Sequence, residues 1–97
     1  MSALDRRRNA LAEKAVERYG RNNQLWMLIE EIAELIVAIC RKRRGRGGDD
    51  EIAEEVADVK IVLEQIPKIY RIENKVRAWE EIKLDRLEDV IEGRIER

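Results

Sequence analysis

Two short runs of carboxylates, Glu30-Glu31-Ile32-Ala33-Glu34 and Glu55-Val56-Ala57-Asp58, combine residue types and spacings that can do chemistry. On an α-helix, residues three apart lie about 60° apart around the axis and one turn along it. Glu31 with Glu34, and Glu55 with Asp58, therefore each present a carboxylate pair to one side. If the two helices pack antiparallel across the short loop 44–48, four negative charges converge. Such a group repels itself unless a cation neutralises it. Oxygen-only ligands select a hard ion, Mg²⁺ or Mn²⁺, which keeps several waters and completes its shell with substrate phosphates. Metal-assisted phosphoryl or nucleotidyl chemistry is the expected outcome.

A blander origin stands beside this one. Among 15 Glu, pairs spaced by three arise by chance on solvated faces. The context argues for a site, because Ile29 and Ile32 surround one run and Val56 and Val59 the other, which sets the acids near the buried side of their helices.

The rest of the composition narrows the mechanism. With no His and a single Cys, Cys40, one chain can build no His/Cys zinc site, no Cys–His pair and no Ser–His–Asp triad. Catalysis must use carboxylates, Lys, Arg or a hard metal. The 20 basic and 21 acidic residues cancel to a net charge of −1, so nucleic acid is not the expected partner. The longest strongly apolar run, 35–40, is far too short to span a membrane, and no signal peptide is read at the N-terminus. A cytoplasmic protein is expected, with residues 1–97 forming one domain.

Ala, Glu, Lys, Leu and Arg supply 52 of the 97 residues, with one Pro and five Gly between them, so the elements that position the carboxylates must be helices. The first spans about 2–19, with Ser2 and Asp5 at capping-box spacing and a thin stripe of Leu4, Leu11, Ala15 and Val16. Gly20 stops it and Asn22–Asn23 cap the second, about 24–43. There Leu25, Leu28, Ile29, Ile32, Leu35, Ile36 and Ile39 form one stripe, and Trp26, Ala33, Val37 and Cys40 a second beside it. Asp49 or Asp50 caps a third helix carrying Ile52, Val56, Val59, Val62, Leu63 and Ile66, which Pro67 kinks or ends. A fourth runs over about 73–92 with Val76, Trp79, Ile82, Leu87, Val90 and Ile91 facing inward. The fold class is all-α, four-helix bundle-like. The two-sided apolar character of the second helix is left over, covered either by a satellite core under the first helix or by a second copy, and a homodimer or a tetramer is the expected assembly.

Glu-Glu-x-x-Glu followed after 20 residues by Glu-x-x-Asp resembles the signature of the MazG-like all-α nucleoside triphosphate pyrophosphohydrolases. The resemblance covers about 19–91, the motif-bearing core being 19–92. It takes in Gln24, the Lys/Arg/Gly loop between the helices, and Lys83-Leu84-Asp85-Arg86-Leu87, which is similar to the Lys-x-x-Arg element of small phage-type members. It implies a MazG-type bundle completed by dimerisation, with Glu31, Glu34, Glu55 and Asp58 as Mg²⁺ ligands. It also implies Lys83 and Arg86 on the triphosphate, and Gln24 in the nucleotide pocket. The implied reaction is hydrolysis of a nucleoside triphosphate to monophosphate and pyrophosphate by water attacking the α-phosphorus. Glu30 is then either the general base for that water or a solvated neighbour. Pro67 departs from the family, whose third helix usually continues there. The duties of longer members with a duplicated domain are not implied, and neither is a choice of base.

Three readings attach to Arg41-Lys42-Arg43-Arg44-Gly45-Arg46: a solvated helix C-terminus, an attractor for substrate phosphates, and a nucleic-acid contact. Trp26 and Trp79 are expected in the core, with Trp26 the better candidate for stacking on a base. A non-catalytic helical interaction module is the alternative to the enzyme.

Overall fold

The computed structural model describes residues 1–96, which fold into five helices with no strand among the described residues: α1 (Ala3–Tyr19), α2 (Arg21–Arg43), α3 (Asp49–Leu63), α4 (Ile66–Tyr70) and α5 (Glu73–Ile91). The all-α expectation holds. No described helix is long and apolar enough to cross a membrane.

α1 begins as its sequence dictates. The Ser2 hydroxyl accepts the Asp5 amide (3.0 Å) while the Asp5 carboxylate accepts the Ser2 amide (3.3 Å), a complete capping box. It ends at Gly20, whose φ of 92° and ψ of 151° are accessible to glycine and little else, and this one residue also opens α2. The expected Asn22–Asn23 cap is therefore incorrect: both lie inside α2, and the Asn23 amide reaches back to the Tyr19 carbonyl (2.8 Å) at the end of α1. Gly48, not Asp49 or Asp50, precedes α3, and the two aspartates occupy its first turn, where they suit the positive end of the dipole. Pro67 does end the third helix. Residues 64–65 form a turn, and Pro67 sits in the first turn of the extra short helix α4, where its missing N–H is no loss.

α2 and α3 form an antiparallel hairpin that is the main packing contact of the chain, and α1 lies across both. Small side chains make the close approach possible: among the described residues Ala12, Ala38, Val62 and Ile69 are the buried apolar ones, and no large side chain is fully enclosed. In α1 the packing residue is Ala12, while Leu4 and Leu11 of the expected stripe are exposed.

α5 packs on α4 and makes no extended contact with α2 or α3. Of its expected inward residues, Trp79 (59% exposed), Ile82, Leu87 and Ile91 face solvent, and only Val76 and Val90 are half-buried. α2 is likewise covered on one side. Leu25, Leu28, Leu35 and Ala38 turn toward α1 and α3, whereas Ile29 (55% exposed), Ile32, Ile36 (56%) and Ile39 form an open strip.

Candidate metal centre

The hairpin's register is set by pairs at three levels. Near the loop, Arg41 Nε meets Glu51 Oε1 (3.2 Å) and Lys42 Nζ meets Asp49 Oδ1 (2.5 Å). At the far end the Gln24 amide donates to Gln65 Oε1 (2.6 Å), with both side chains buried. Between them, carboxylate oxygens of Glu31, Glu34, Glu55 and Asp58 all come within 4.8 Å of one another. Cations at the end of α2 facing acids at the start of α3 also complement both helix dipoles. This pairing favours the solvated C-terminus reading of the basic run, with Arg41 and Lys42 engaged in surface ion pairs.

Within the cluster, Glu31, Glu55 and Asp58 are half-buried and Glu34 is exposed. Glu31 Oε2 and Glu55 Oε2 are each shut off from solvent without a hydrogen-bond partner. An orphaned acceptor is costly in an interior, and here two lie among four like charges. Burial pushes the Glu31 carboxyl above the ordinary carboxylate range, followed by the charges of Glu34, Asp58 and Glu55. Glu55 is raised in the same way, by burial and then by Glu34 and Asp58. Among the ion pairs of the described residues, none involves a cluster carboxylate. An all-oxygen set with two unpartnered buried lone pairs fits a hard divalent ion. Two shallow grooves open along α2. One beside the cluster is lined by Ala33, Glu34, Val37 and Glu55, and another by Tyr19, Gln24, Trp26 and Glu30.

The remaining site expectations fare differently. Glu30 is exposed in the second groove with Trp26, one turn away, and Trp26 is exposed and not in the core. Gln24 lines that groove, and its side-chain N–H₂ donates to Gln65, tying the two ends of the hairpin together. Lys83 and Arg86 are not brought to the carboxylates within one chain, because α5 does not pack on the hairpin. Lys83 Nζ lies 5.9 Å from the Trp79 ring centroid, and Trp79 too is outside the core.

Sequence reasoning missed Gln65. Its signal was present, since it lies three residues after Val62 and four before Ile69, on the inward face, where a polar residue needs a partner. Gln65→Leu leaves the buried Gln24 amide unpaired and is expected to cost about 1–3 kcal/mol, read as a lower urea midpoint with an unchanged slope.

No protein-family model, curated protein or solved structure matches the chain.

Proposed function

We propose that the chain is a metal-dependent nucleoside triphosphate pyrophosphohydrolase of the MazG-like kind, working as a homodimer or higher oligomer. The observation that carries this reading is the convergence of Glu31, Glu34, Glu55 and Asp58, with two buried oxygens that have no hydrogen-bond partner among the described residues. These four residues would hold Mg²⁺ or Mn²⁺, which when bound supplies charge neutralisation and polarisation of the phosphate oxygens.

The chain's own residues do the rest. The groove containing Trp26 offers an apolar ring for the base to stack on. Glu30, exposed beside that ring, accepts a proton from the attacking water. Attack at the α-phosphorus breaks its bond to the α–β bridging oxygen, and pyrophosphate departs with the electron pair. Glu30→Gln is then expected to lower kcat by about 10²–10⁴-fold while leaving Mn²⁺ affinity unaltered. A merely solvated Glu30 would leave both unchanged.

The test of the whole reading is to incubate the protein and Mg²⁺ with each ribo- and deoxyribonucleoside triphosphate and to measure pyrophosphate. Release dependent on the metal supports it, and no release from any of them refutes it. The open apolar faces of α2 and α5 also suit a non-catalytic helical interaction protein, and that reading survives only the second result.

A further inference from the structure

α1 and α3 enclose a groove of about 470 Å³ that none of the carboxylate-cluster residues lines. Ala12, Ala15 and Ala57 leave the space, because a methyl group reaches only a short way into the gap between two helices. Leu4, Leu11 and Ile61 wall it with apolar surface, so the exposed leucines of the thin stripe on α1 join Ile61 in one patch. Three cations and no acid stand among the lining residues: Arg7, Arg8 and Lys60. Arg8 is engaged by Asp5 (2.8 Å) and Glu64 (3.7 Å). Arg7 and Lys60 form no ion pair among the described residues. The last lining residue, Gln65, is 3% exposed. Its carbonyl oxygen accepts from Gln24, while its own N–H₂ donates to no described residue, so a buried side chain of the groove wall has a donor to spare.

We propose that this groove is a binding site for an aliphatic carboxylate: the alkyl chain lies on Leu4, Leu11 and Ile61, and Arg7 and Lys60 neutralise the head group. The proposal goes beyond the hydrolysis reading and uses none of its carboxylates. Size and charge select this occupant. Leu4 to Ala15 covers about 16 Å of α1 at 1.5 Å per residue. Spread over that length, the volume leaves a section about 5–6 Å across, too narrow for a partner's helix, which with its side chains is about 10–12 Å wide. A zigzag chain of about twelve carbons, joined by bonds of ~1.5 Å, fills it from end to end. A cationic amphiphile would meet Arg7 and Lys60 as like charges, and a neutral one would leave them unanswered. The spare donor of Gln65 offers a carboxylate oxygen a further partner.

The test needs no activity. ¹⁵N-labelled protein without metal is titrated with dodecanoate below its micelle concentration, and in parallel with dodecyltrimethylammonium and with acetate. The expected result is saturable shifts of amides over 4–15 and 57–65 by dodecanoate, with a Kd of about 10–100 μM. The cationic amphiphile binds at least tenfold more weakly, and acetate moves nothing. Arg7→Glu/Lys60→Glu is expected to weaken dodecanoate at least tenfold and to favour the cationic amphiphile, with Tm unchanged because both side chains are exposed and unpaired. Ile61→Glu, at a half-exposed position, blocks the alkyl chain in a second way and is expected to abolish saturable binding. Shifts that never saturate and spread over the open faces of α2 and α5, equal affinity for both amphiphiles, or undiminished binding in both variants overturn the proposal. An unmoved groove also overturns it, and is the result to expect if a second copy of the chain covers that surface instead.

Discussion

Glu31→Gln and Glu55→Gln are each expected to lower pyrophosphate release by about 10³-fold or more, the loss that follows when an ion worth several kcal/mol to the transition state is no longer held. Glutamine keeps the shape of the side chain and removes only the charge. The same substitutions therefore act in the opposite direction on stability. Each takes one like charge from a cluster in which a buried oxygen lacks a partner, so the metal-free variants are expected to melt higher than the metal-free wild type. Calorimetry and the pyrophosphate assay on the same samples give the pair of readings. Variants that melt lower and lose activity together would show a merely structural role for these residues. Glu34→Gln is expected to have a weaker effect on stability, since Glu34 is the exposed member of the set.

The second large effect is on stability against pH and metal. Glu31 and Glu55 have carboxyl pKa values raised in the fold, by burial and then by their acidic neighbours. A carboxyl raised on folding binds more protons in the native than in the unfolded state, so its contribution is fully present below the unfolded pKa and is lost as pH rises through the folded one. Asp5 and Asp49 run the other way. Their pKa values are lowered, chiefly by the Ser2 hydroxyl and by Lys42 respectively, and what they contribute is lost only in more acidic solution. Between pH 5 and 7.5 the raised pair sets the slope, and the Tm of the metal-free protein is expected to fall across that window. Mg²⁺ at 100 times its Kd adds about 2.7 kcal/mol, roughly 10 °C or more in Tm for a domain of this size, and more at pH 7.5 than at pH 5, because the ion competes with protons. A Tm that rises with pH in chelator, or that ignores both Mg²⁺ and Mn²⁺, would remove the metal site.

Much of this was legible in the residues. The carboxylate cluster follows from two i,i+3 pairs and one short loop, because an antiparallel hairpin leaves little choice of register once the loop length is set. Ser2 and Asp5 announced the start of α1 for the same reason: a capping box is a local device, complete within four residues. What was misread depends on contacts made far along the chain. Trp79, Ile82 and Leu87 have the spacing of a buried stripe, and periodicity says that a helix has an apolar face without saying which molecule covers it. The turn at Arg71 that carries α5 away depends on one residue in a left-handed conformation that arginine does not advertise. Asn22 and Asn23 have good N-cap chemistry, but Gly20 makes the break alone and leaves them no orphan amides to accept. The bond between Gln24 and Gln65, 41 residues apart, turns on a distance no local pattern encodes.

The five-residue connection between α2 and α3 also bears on the order of events when the chain folds. Contacts of small sequence separation need little loop closure and form early, so the hairpin, and with it the crowding of four charges, comes before any encounter between two copies. Repulsion is then met on the way to the native state as well as in it. A divalent cation present during refolding is expected to speed the folding limb of the chevron, whereas an ion that binds only after assembly would slow unfolding alone.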